Sequence, residues 1–189
     1  MLNRAVALDL VNDWTPSERL RIHARAVELV MADLAEGLGL DPAPFALAGL
    51  LHDADYDRWP EEHPRRVMAW LEQQGEPELA RAVASHATER TGIQPESLLE
   101  RALVASDEAT GFVIACALVR PQRTAGLEPK SIRKKLKTPA FAAGVDRGEM
   151  AKGFQLLMEK VGGSEDQHLA RIVAVLHRNR VELGLAAQA

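Results

Sequence analysis

The sequence predicts an all-α fold. Apolar residues recur every three or four positions along nearly every segment, helix start and stop signals punctuate the chain, and no segment sustains period-two alternation. "RAVALDLVNDW" reads as a short amphipathic helix. Thr15-Pro16-Ser17-Glu18 reads as a capping box with proline at the first helical position. The helix that follows, 16–36, has a stripe at Leu20, Val27, Val30 and Leu34 and stops near Gly37 and Gly39. Asp41-Pro42 opens the next, which carries "FALAGLLHD". Pro60 and Pro64 bracket a turn into "RRVMAWLEQQ", ended by Gly75. "PELARAVASHATER" and "PESLLERALVASDEATGFVIACALVR" are each opened by a proline, and Pro121 closes the second. Beyond it "PQRTAGLEP" is a loop and "KSIRKKLK" a short basic helix. "DRGEMAKGFQLLMEKVGG" and "SEDQHLARIVAVLHRNRVEL" are two more helices, with a second capping box at Ser164–Gln167.

The bulk properties narrow the function class. The chain has 189 residues, 47% of them apolar and 26% charged, as expected of one soluble domain with a sizeable core. A net charge of −4 gives no overall pull toward polymeric nucleic acid or anionic membrane. The single cysteine, Cys116, permits no intrachain disulfide, which fits a reducing cytoplasm, and reads as a small core residue. The N-terminal stretch lacks the apolar core of a signal peptide. The longest apolar run, "FVIACALV", falls far short of the roughly 20 residues a bilayer requires. Dinucleotide-binding glycines and a P-loop are both absent.

The informative residues are polar groups on apolar stripes. His23 lies in the series Leu20, His23, Val27, Val30, Leu34. His52 and Asp53 end the run "LAGLL". His63 heads the stripe Val67, Leu71; His86 shares a face with Leu79 and Val83; Asp107 shares one with Leu99 and Leu103. Side chains three or four apart on a helix point the same way. A lone histidine in such a place is usually a hydrogen-bonded core residue, and a buried aspartate needs a partner. Six such residues on five helices would require six separate compensations, whereas one metal centre satisfies them together. Imidazole-rich sites favour Mn, Fe, Co, Ni or Zn over Mg. Asp55, Asp57 and Arg58 fall in the loop after the pair, where exposure and a supporting role both fit. His168 and His177 read as surface residues, Trp59 and Trp70 as core.

The order His23, His52-Asp53, His63, His86, Asp107 on helices resembles the HD-domain superfamily of metal-dependent phosphohydrolases. "LAGLLHDADYD" and "SDEATGFVIACALVRP" are similar to a group of small predicted HD hydrolases. The resemblance implies a single HD-type helical bundle over 1–189, with its core at about 15–120 and a helical extension over about 121–189. It implies two divalent transition metals bridged by Asp53, one completed by His23, His52 and Asp107, the other by His63 and His86. A bridging hydroxide would attack a small phosphate ester or nucleotide. Loop acids Asp55, Asp57 and Glu62 are candidates for a general acid. The same ligand set also fits two other classes, a di-iron oxygenase and a catalytically silent protein that binds a nucleotide or small anion.

One departure concerns the substrate anion. Many HD hydrolases follow the pair with a Gly-Lys turn, whereas this chain has Ala54, Asp55, Tyr56 and Asp57. The basic segment 130–137 offers two readings. It is a solvated helix face, or it supplies the missing cation through Arg133 and Lys134, with Ser131 as N-cap and Ile132 and Leu136 docked on the core.

Overall fold

The computed structural model describes residues 2–187. Ten helices and no strand occur among them, as the periodicity predicts. The chain divides into two compact units, 1–104 and 105–189. The boundary falls inside one unbroken helix, α7 (Leu98–Leu118). No helix among the described residues is long and apolar enough to cross a membrane.

The first unit is built around α3 (Pro42–Leu51), capped by the Asp41 carboxylate on the Ala43 N–H. Phe45, Leu47, Ala48, Gly49, Leu50 and Leu51 are all buried, so this helix is apolar nearly all round. It packs on α1 (Arg4–Trp14), α2 (Glu18–Gly37) and α5 (Pro77–His86). Gly49 sets the closeness of the α2 crossing, because a Cβ there would stand 2.8 Å from the backbone of Val27 and Glu28. A helix enclosed in this way ends inside the unit rather than at its surface. For that reason the leucines of "GLLHD" deliver His52 to a fully buried position.

The other helices of this unit follow local chemistry. α1 spans the predicted residues. α2 starts two residues later than the sequence suggests: Ser17, not Thr15, is the N-cap, and its hydroxyl accepts from the Leu20 N–H. Thr15 is buried and its Oγ1 donates to the Ala54 carbonyl, while the Ser17 N–H donates to Asp57. Both bonds tie the start of α2 to the His-Asp loop. α4 (Arg65–Gln73) buries Val67 and Leu71. The segment predicted as one helix over "PELARAVASHATER" breaks into α5 and α6 (Thr88–Thr91) at Ala87. There His86 Nδ1 takes the Val83 carbonyl, and the Thr88 hydroxyl donates to the Ser85 and Ile93 carbonyls, so side chains displace the helical pattern. α7 begins at Leu98 rather than near Pro95: Ser97 Oγ accepts from the Glu100 N–H, and the Glu100 carboxylate accepts from the N–H groups of Glu96 and Ser97.

The second unit holds the rest of α7 with α8 (Pro129–Leu136), α9 (Arg147–Val161) and α10 (Glu165–Arg178). Its core includes Phe112, Cys116, Ile132, Phe154, Leu169 and Leu176. Burial pushes the Cys116 thiol up to about 11, which suits an inert core residue. Ser164 caps α10 on the Gln167 N–H as expected. α8 starts at Pro129 with Glu128 as N-cap, so Ser131 lies inside the helix rather than capping it. α10 stops at Arg178, five residues before the predicted Leu183, where Asn179 turns its amide back onto the Val175 carbonyl. His168 and His177 are half-buried rather than at the surface. His168 stacks on Phe154, and His177 Nδ1 meets the Thr124 hydroxyl at 3.1 Å.

Candidate metal centre

Four imidazoles crowd together in the first unit. The ring centroids of His23 and His52, His52 and His86, and His63 and His86 are each 5.2 Å apart. Asp53 is common to two groups of donors. One donor atom each of His23, His52 and Asp53 lie within 4.8 Å of one another, and so do donor atoms of Asp53, His63 and His86. α2 brings His23, the buried end of α3 brings the His-Asp pair, and the end of α5 brings His86. His63 lies in the turn two residues before α4, not on the helix, because Pro64 intervenes. Asp107 is half-buried on α7 in the second unit, four residues beyond the buried Leu103.

The ring orientations are fixed by hydrogen bonds. His52 Nδ1 is 2.8 Å from the Gly49 carbonyl, and His86 Nδ1 contacts the Val83 carbonyl. His63 Nδ1 is 2.7 Å from the Asp55 carboxylate. A carbonyl or carboxylate oxygen only accepts, so each Nδ1 carries the hydrogen. Each Nε2 then faces Asp53, at 3.4 Å for His52 and 3.5 Å for both His63 and His86. Burial pushes the Asp53 carboxyl up, but the charge and hydrogen bond of His52, then those of His86, outweigh it. The group is held well below the usual carboxylate range and is ionised at neutral pH. That charge and those hydrogen bonds belong to rings protonated at Nε2 as well as Nδ1; when the rings are neutral their Nε2 lone pairs face the carboxylate, and a cation can take the place of the proton between them. This donor set fits a divalent transition metal.

The loop after the pair is ordered by its acids. Asp55 is fully buried and accepts from His63, from the Arg66 N–H at 3.0 Å and from the Val67 N–H at 3.1 Å. Asp57 holds the Ser17 N–H, and Glu62 pairs with Arg66. Tyr56 is exposed, with its ring edge-on to His63 at 5.2 Å. Trp59 and Trp70 are half-buried rather than core. Trp59 meets Trp14 edge-on and carries the Arg66 guanidinium over its face. The buried role of Asp55 was open in the sequence. Its signal is the start of α4, where Pro64 offers no side-chain cap and an acceptor must come from elsewhere.

In the second unit α8 buries Ile132 and exposes Arg133 and Lys134. The Arg133 guanidinium is paired with Asp166 at 2.5 Å and Glu165 at 3.8 Å, both in the first turn of α10. It is already engaged by two carboxylates.

Comparison with curated proteins and with solved structures finds no match to this chain. The HD-domain family model matches residues 20–119, more than half of the sequence and the stretch holding all six expected ligands, and the chain therefore belongs to the HD-domain family.

Proposed function

We infer that the chain is a metal-dependent phosphohydrolase acting on a small phosphate ester or nucleotide. Members of the family are in general hydrolases and bind divalent metals. The observation that carries the reading is the common aim of His52, His63 and His86. All three hold Nδ1–H on an acceptor and turn Nε2 toward the ionised Asp53.

In this reading Asp53 would serve both of two ions drawn from Mn, Fe, Co, Ni and Zn. His23, His52 and Asp107 would hold one with it, and His63 and His86 the other. Asp107 is included because the sequence spacing Leu99, Leu103, Asp107 puts it on one face of its helix. One HD-type domain over 1–189 is part of the same reading. Two bound metals supply an activated water and neutralise charge on a phosphoryl group. The residues of the chain keep that chemistry in register: Gly49, Val83 and Asp55 hold the ring protons on Nδ1, and α3 keeps His52 away from bulk water. Asp55 and Asp57 accept hydrogen bonds from backbone or imidazole N–H groups, which leaves neither placed to act as a general acid. Arg133 and Lys134 are the proposed cations for the substrate anion.

The test is a panel of phosphomonoesters, phosphodiesters and nucleotides assayed with the metal that copurifies. Metal-dependent phosphate release supports the hydrolase. Oxygen consumption with two irons bound and no phosphate release would make it an oxygenase. Saturable nucleotide binding without turnover at full metal loading would make it a binding protein.

A further inference from the structure

We propose that Asp55 is a positioning residue that decides which ring nitrogen of His63 carries the proton, and so keeps Nε2 of that ring unprotonated and free to bind a metal on the side of Asp53. The two other rings that face Asp53 through Nε2 need no such help. His52 and His86 lean on the backbone carbonyls of Gly49 and Val83, which accept whatever the side chains are. Of the three, His63 alone has its Nδ1 against a side chain, at 2.7 Å from Asp55 Oδ1.

Asp55 is held to this task from its other side. Its Oδ2 accepts from the Arg66 and Val67 N–H groups at 3.0 and 3.1 Å. α4 has no side-chain cap of its own at Pro64, so Asp55 caps that helix from the preceding loop. The carboxylate is 0% exposed and each oxygen already faces a donor. His63 has a carboxylate at each ring nitrogen, but Asp55 at 2.7 Å makes a full hydrogen bond where Asp53 at 3.5 Å is at the limit of one, so the neutral imidazole carries its hydrogen on Nδ1.

Asparagine makes the contribution visible. An amide of the same shape has one accepting oxygen and one donating nitrogen. The two backbone N–H groups of α4 can only donate, so they retain the oxygen. The amide NH₂ then faces His63 Nδ1, which must accept. The imidazole proton moves to Nε2 and points at Asp53. Every hydrogen bond of the cluster is kept, but His63 can no longer ligate through Nε2.

The proton placement stands on hydrogen bonding alone, and only its effect on metal uptake rests on the function proposed above. The experiment is nitrogen-15 NMR of the histidine side chains of the full-length, metal-free protein at a pH where the rings are neutral, with His63→Gln to assign the signal. In the wild type His63 is expected as the Nδ1–H tautomer. In Asp55→Asn it is expected as Nε2–H, with His52 and His86 unchanged. A metal titration of both proteins supplies the second readout, with uptake expected to fall from about two ions per chain to about one. An Nε2–H signal for His63 in the wild type overturns the proposal without any variant. An unchanged tautomer in natively folded Asp55→Asn overturns it too, as does an inverted tautomer with undiminished uptake. If the wild type takes up no metal yet the tautomer inverts, the metal reading fails and the positioning role is upheld.

Discussion

Nε2 of His52 stands 3.4 Å from Oδ2 of Asp53, its sequence neighbour, while Nδ1 of the same ring is fastened one turn back to Gly49. The pair is rigid because His52 is the fully buried end of a helix enclosed by three others. An apolar run thus ends in an imidazole and a carboxylate held side by side. It also concentrates imidazoles and a carboxylate where solvation is poor, an arrangement that is costly without a cation.

Removing metal is therefore expected to destabilise the fold. Ligands that bind only the folded state raise its stability by linkage. Chelator should lower the melting temperature of the wild type, and Asp53→Ala should abolish most of that response. Differential scanning calorimetry with and without chelator measures both. An unchanged melting curve would mean that the cluster is satisfied by its own hydrogen bonds.

Gly49 is expected to tolerate no side chain. A Cβ would meet backbone atoms of Val27 and Glu28 at 2.8 Å, and backbone cannot swing aside as a side chain does. Gly49→Ala should cost about 1–3 kcal/mol or more through forced separation of α2 and α3. Urea denaturation reads the loss directly, and wild-type stability would show that the two helices part freely.

Much of this was legible in the sequence because it is local. The Asp41 and Ser164 caps and the span of α1 follow from neighbours in the chain. The histidines stood out because helical spacing placed them among Val27, Val83 and Leu79. Asp55 was not legible in the same way. It lies in a loop, where no periodicity assigns a face, and its three donors come from residues eight to twelve positions away. The break at Ala87 depends on His86 and Thr88 taking carbonyls from the helix, a competition that a helical stripe conceals. The Arg133 pairing depends on α10 starting beside α8, which spacing within the basic segment cannot reveal.

His168 should give the second unit an acid-sensitive stability. Burial, then the charge of Arg171, push its pKa below the ordinary value of 6.5, while a backbone hydrogen bond to Gly162 opposes them. The folded state thus binds its proton less readily than the unfolded chain. The contribution is complete above 6.5 and is lost as the pH falls below it, where the unfolded state protonates first. His168→Gln should flatten the decline of melting temperature between neutral and mildly acidic pH. Parallel curves for variant and wild type would assign that decline to other groups.

The basic helix α8 is tested by kinetics. Lys134→Ala should raise KM or lower kcat/KM for an anionic substrate while metal content stays intact. Arg133→Ala should do so less, since its guanidinium is already committed to Asp166 and Glu165. Losing that exposed pair should cost no more than about 1 kcal/mol, so the fold survives. Wild-type kinetics in both variants and in the double variant would make α8 a solvated face.

The most direct measurement is elemental analysis of the full-length protein purified without added metal and again after metal is supplied. The ligand set proposed above, His23, His52, Asp53, His63, His86 and Asp107, predicts about two transition-metal ions per chain. His63→Ala and His86→Ala should reduce this to about one, and Asp53→Ala should remove nearly all of it. A content below about one ion per chain that does not rise when metal is added would contradict a metal centre at Asp53.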